Sequence, residues 1–198
     1  MEWKTTTQIL ENLKNSNNAA DWSCFRDYFY PVIVRFARKL GLSPDDAEDA
    51  AQETIIAFLK ACRTDKYQRQ QGKLSHWVMG VARNIIRNHY RKQSKISGAA
   101  KSNSAISMPP DIEDEQAVQH TWQTEWRKVL LQRCLIQARK EFDAKTFLAF
   151  ELYALAGKPA AQVSAELDLS ANAVYIAKNR VLTKIRLLYH DFEENQRG

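Results

Sequence analysis

Residues 74–95 read LSHWVMGVARNIIRNHYRKQSK, and this stretch decides the fold. Leu74, Trp77, Val78, Val81, Ala82, Ile85 and Ile86 recur at helical spacing. Their stripe is wide enough to pack on a core. The opposite face carries His76, Arg83, Asn84, Arg87, Asn88 and Arg91, followed by Lys92 and Lys95. No acidic residue occurs between Asp65 and Asp111. Surface helices ordinarily interleave both charge signs for support across one turn. A helix with one anchored face and one uncompensated basic, Asn-bearing face suits a polyanion.

Working outward, residues 64–73 (TDKYQRQQGK) form a polar loop upstream. Before it, Ser43-Pro44-Asp45-Asp46 is a helix start: Ser43 is the N-cap, Pro44 the first helical residue and Asp46 the capping-box acid. Asp45, Asp46, Glu48 and Asp49 also favour the positive end of the helix dipole. Asp49, Gln52 and Glu53 lie past the first turn. Their face is either simply solvated or a docking surface for a basic partner. An earlier helix carries Trp22, Phe25, Phe29, Val32, Ile33, Phe36 and Leu40, with Asp21 or Ser23 as its cap and Gly41 at its stop. Pro31 is expected to kink or break it.

Downstream, residues 94–116 (SKISGAAKSNSAISMPPDIEDEQ) lose all periodicity and read as a flexible linker. Beyond it, Trp122, Trp126, Val129, Leu130 and Ala138 mark a helix. Asp143 caps another, which Gly157 ends. A short helix from Pro159, the turn Asp168-Leu169-Ser170 and a last basic helix then form a helix-turn-helix. Asn172, Tyr175, Ile176, Asn179 and Arg180 are placed to reach base edges, and Lys178, Lys184 and Arg186 to reach phosphates. Residues 169–190 again contain no acid.

No alternating strand pattern is present, so the fold expected is all-α: two small helical domains, residues 1–95 and 119–198, joined by a flexible linker over residues 96–118, with the helix-turn-helix in the second. The 198 residues carry a net charge of +6, which favours an acidic partner only weakly; the distribution of charge says more. Cys24, Cys62 and Cys134 are odd in number, far apart and unaccompanied by the histidines, which argues against a disulfide framework and a zinc site. Residues 1–16 lack the apolar core of a signal peptide, and no run is long enough to cross a membrane. A reduced cytoplasmic protein without cofactor, metal or catalytic residues is the expectation.

Two basic modules on either side of a linker suit a protein that reads two DNA stretches at once. At this point the chain resembles the small extracytoplasmic-function sigma factors of the sigma-70 family, over residues 22–188. Residues 45–54 (DDAEDAAQET) look like the family's signature for docking on the polymerase. Residues 77–84 (WVMGVARN) look like its promoter-melting segment, running into the helix that reads the minus-ten element. Residues 163–170 (VSAELDLS), with Val174 and Arg180, look like its region 4 helix-turn-helix, which reads the minus-thirty-five element.

The resemblance implies core RNA polymerase and promoter DNA as partners, the DNA both as duplex and as melted non-template strand. An anti-sigma factor is a further candidate partner. It implies that Asp46, Asp49, Gln52 and Glu53 face the polymerase. Residues 66–73, including Lys73, and Asn84 would meet the separating strand. Arg83, Arg87, Asn88, Arg91 and Lys92 would lie along DNA beside it, and Trp77 belongs to the core. The sequence departs from the family at Asp168, where Gly is common, at Tyr175 and Ala177, where basic residues are frequent, and at Lys178, where an apolar residue is usual. The rival reading is a stand-alone helix-turn-helix regulator that binds duplex DNA without polymerase; the acidic helix and the Asn-bearing helix serve no purpose there.

Overall fold

The structure, a computed structural model, describes residues 19–64, 74–96 and 112–194, and among them every regular element is helical. They are α1 (Ala19–Lys39), α2 (Pro44–Arg63), α3 (Leu74–Ile96), α4 (Glu115–Arg139), α5 (Ala144–Phe150), a π-helical turn (Glu151–Leu155), α6 (Ala160–Leu167) and α7 (Ala171–Glu194). The chain divides into two compact units, one running to Val129 and the other covering Leu130–Glu194.

In the first unit α1, α2 and α3 pack around aromatic rings. Phe25 stacks on Phe58 with centroids 4.1 Å apart, and Phe58 meets the edge of Trp77 at 5.4 Å. Trp77 is thus a packing residue. Val32, Ile33, Phe36, Ala47, Ala50, Ala51, Val78, Ala82 and Ile86 complete a closed interior. The alanines let α2 approach its neighbours closely, which the alternating large and small side chains of a dense core require. Helix α1 runs through Pro31 without a break and begins upstream of Asp21 and Ser23, so neither caps it. Removing one backbone N–H is tolerated there because Val32, Ile33 and Phe36 are fully buried on the following turn and hold the helix in place. Gly41, at φ 93°, ends the segment as expected, and Leu42 N–H returns to the Ala37 carbonyl at 3.1 Å.

The α2 start is as the sequence implies. Ser43 Oγ accepts the Asp46 amide at 3.1 Å and donates to the Asp46 carboxylate at 2.6 Å, with Pro44 in the first turn. Replacing Ser43 with Ala is expected to lower the stability of this unit by about 1 kcal/mol, measured by urea unfolding.

The first unit also takes in the beginning of α4. Trp122 is buried edge-on against Phe36 with centroids 5.2 Å apart, and Trp126 lies 5.2 Å from Phe29. Ile112 and Val118 are fully buried as well. The sequence pattern places residues 112–118 in the linker and the tryptophans in the second domain. These apolar side chains need a core, and the first unit supplies it. Residues 97–111 of the expected linker lie outside the described residues.

In the second unit, Ala149, Val163, Val174 and Ala177 form a buried cluster flanked by Leu152, Tyr153, Leu167 and Leu169. Asp143 caps α5, accepting the Thr146 amide at 2.8 Å. Hydrogen bonds from Thr146, its hydroxyl first, hold the Asp143 carboxyl below its ordinary value.

Candidate functional site

Helix α3 turns Leu74, Val78, Ala82, Ile86 and Tyr90 inward. The Tyr90 hydroxyl donates to the Leu40 carbonyl at 2.7 Å, which fixes the far end of the helix; burial, and then the nearby Asp46, raise its pKa. With the inner face fixed, His76, Asn84, Asn88, Arg91 and Lys92 are exposed on the outer face. At about 100° per residue, Asn84, Asn88 and Arg91 form one line. Arg87 is half-buried beside them, and its Nε is buried without a hydrogen-bond partner among the described residues. The expected phosphate role of Arg83 meets a different geometry. Its Nε donates to the Ile112 carbonyl at 2.9 Å and its Nη2 to the Glu113 carbonyl at 3.0 Å, while Nη1 pairs with the Glu115 carboxylate. Arg83 therefore ties the segment entering α4 to the middle of α3. Lys73, and the loop it belongs to, lie outside the described residues.

Helix α2 presents a face of opposite sign. Asp45, Glu48, Asp49, Gln52 and Glu53 are all exposed. Asp46 is not free in the same way: its carboxylate also accepts Gln93 Nε2 at 2.9 Å and lies 3.8 Å from His89 Nδ1, so it braces α3 against α2. The buried His89 has Glu53 3.5 Å from its other ring nitrogen. Among the acidic face stands Ile56, half exposed at 50%. With Arg26, Tyr30, Gln52 and Ile55 it lines an open groove of about 380 Å³ between α1 and α2. Sequence reasoning passed over Ile56, since it adjoins the buried stripe; its offset from Ala47, Ala51 and Phe58 was the available signal. An acidic rim around an exposed aliphatic residue suits a basic protein surface with an apolar pocket.

The helix-turn-helix of the second unit has the expected construction. Asp168 takes the left-handed conformation (φ 48°, ψ 60°) that its short polar side chain tolerates. The Leu169 amide donates to the Ser164 carbonyl at 3.0 Å, and the Ser164 hydroxyl donates to the Leu169 carbonyl. Ser170 caps α7 by accepting the Ala173 amide at 3.1 Å. Lys158 donates to Glu166 at 2.8 Å and holds that carboxyl below its ordinary value. On α7, Asn172, Tyr175, Ile176, Asn179 and Arg180 are exposed together. Lys178 is half-buried, its ammonium 5.6 Å over the Tyr153 ring, and Tyr175 meets the same ring edge-on. Lys184 pairs with Glu141 at 2.6 Å. Both lysines are thus less available to phosphate than their position in the sequence implies.

Comparison with known proteins bears on the first unit. Residues 25–96 match the family model described as Sigma-70 region 2. They span α1, α2 and α3 with both charged faces. The first unit thus contains a region similar to sigma-70 region 2. A similar protein is the RNA polymerase sigma factor HrpL of Pseudomonas syringae pv. syringae, 34% identical over 61 residues, 31% of this chain and 32% of that one. The match thus spans about a third of the relative's length. The match covers the helices that carry Asp49, Gln52, Glu53, Asn84 and Asn88, so both faces lie within the matched residues. Among the described residues, no cluster of three or more His, Cys, Asp or Glu could hold a metal ion, and no helix is long and apolar enough to cross a membrane. Burial pushes the Cys134 thiol up to about 11, so it is protonated near neutral pH.

Proposed function

We propose that this chain is a sigma factor of the extracytoplasmic-function type, which binds core RNA polymerase, directs it to two-part promoters and helps open the DNA. The observation that carries the reading is the pairing, within a sigma-70 region 2, of an exposed acidic face on α2 with an exposed Asn- and Arg-bearing face on α3. Asp49, Gln52 and Glu53, with Ile56, dock on the polymerase. Asn84, Asn88, Arg91 and Lys92 lie along the promoter at the point of strand separation, with Lys73 and its loop beside them. Asparagine suits this place because it can both donate to and accept from an unpaired base edge. The arginines and lysine hold the phosphates. On α7, Asn172, Tyr175, Ile176, Asn179 and Arg180 read the upstream element in the major groove, with Lys178 and Lys184 at its margin. The chain supplies no catalytic group; bond formation belongs to the polymerase. It works where the polymerase is, in the cytoplasm. An anti-sigma factor would act by covering the α2 face or the exposed part of α7.

Co-elution with purified core polymerase on size exclusion tests the first step; a chain that stays separate from core yet binds duplex DNA tightly is instead a stand-alone regulator. Asn84→Ala is expected to reduce promoter opening roughly ten-fold, the loss of one polar contact worth about 1.4 kcal/mol. Core binding should be unchanged, since Asn84 is on α3 and the docking face on α2. Unaltered opening in Asn84→Ala would remove this residue from the strand contact.

A further inference from the structure

Gly80 sits in the interior of α3, six residues from its start and sixteen from its end. A glycine there disfavours the helix relative to alanine, because its unfolded backbone has more freedom to lose. Interior helical glycines are usually explained by a neighbour that leaves no room for a Cβ. Among the described residues there is no such neighbour: a Cβ built on Gly80 meets nothing within 4 Å. Its backbone is also not in the left-handed region, unlike Gly41 and Gly157. Nothing in the described fold therefore calls for glycine at this position.

The place of Gly80 on the helix supplies the missing reason. Asn84 is one turn further on, and Arg87 and Arg91 follow within about 20° of the Gly80 direction at 100° per residue. His76 is exposed one turn earlier. Gly80, itself half-buried, is thus a bare gap in the stripe that carries the exposed His76, Asn84 and Arg91 and the half-buried Arg87. A missing side chain lets another molecule lie flush on the helix backbone. The absence of acidic residues from this stripe makes a polyanion the fitting occupant.

We propose that Gly80 is a close-approach site, where the sugar–phosphate chain of the unpaired promoter strand passes directly against α3 while Asn84 engages one of its bases. The inference rests on the sigma-factor reading and adds to it a residue that binds by having no side chain. Its signature is a substitution that stabilises the free protein and impairs its work.

Gly80→Ala and Gly80→Gln should both fold. Gly80→Ala is expected to raise the melting temperature of the free chain by roughly 2–6 °C. With core polymerase, on the most active of a panel of genomic fragments, permanganate reactivity of unpaired thymines should fall about ten-fold for Gly80→Ala and further for Gly80→Gln. Co-elution with core should stay at the wild-type level. Opening at the wild-type level by both variants overturns the proposal, as does a Gly80→Ala chain no more stable than wild type. A loss confined to core association would assign Gly80 to a protein contact instead, and so overturn it too. If the wild-type chain itself associates with core and opens no template, the promoter-opening reading fails, and this inference with it.

Discussion

Changing Asp49 and Glu53 together to Arg is expected to abolish promoter-specific initiation while leaving the chain folded. Both side chains are exposed on α2, beyond the first turn, where dipole and capping arguments no longer account for acids. Two reversals bring four units of charge change to one small face. Like charges brought together across an interface cost several kcal/mol, so core association is expected to weaken by more than about 100-fold. Glu53 lies 3.5 Å from the buried His89, so some destabilisation of the α2–α3 contact accompanies the change. The Asp49→Arg single variant separates the two effects, because Asp49 is exposed and has no such ion pair among the described residues. Native-gel binding to core and urea unfolding of both variants measure them. Core binding by Asp49→Arg/Glu53→Arg equal to wild type would move the docking face elsewhere.

Trp122→Ala is expected to cost the first unit about 3–5 kcal/mol, a large part of the 5–15 kcal/mol typical of a folded domain. The residue is 1% exposed and its ring packs edge-on against Phe36. It lies 38 residues after Asn84, past the stretch read as linker, so the effect also tests where the unit ends. A urea midpoint for the first unit within error of wild type would show that Trp122 is not part of its core.

What was legible in the sequence was local. Ser43-Pro44-Asp46, Asp143, Asp168 and Ser170 each act on residues within one turn, and each stands in the structure as the spacing implies. The outward direction of Asn84, Asn88 and Arg91 followed from the apolar stripe opposite, because a helix face needs only periodicity to be read. What escaped depended on distant partners. Arg83 looked like its neighbours on α3, but its acceptors come from residues 112–115, on the far side of a segment with no periodicity. Asp46 read as a helix cap and a docking acid; its links to Gln93 and His89 cross 47 and 43 positions of sequence. Trp122 and Trp126 could be assigned to a helix but not to a unit, since an apolar residue does not name the core that buries it. Pro31 argued for a break by local rules, and burial on the next turn overrode them.

The most direct test is run-off transcription from a panel of genomic fragments, including the region upstream of this protein's own gene, with purified core polymerase alone and with the chain added. The account predicts discrete transcripts from particular fragments only when the chain is present. No chain-dependent transcript from any fragment, with no association with core and tight duplex binding by the chain alone, would contradict it.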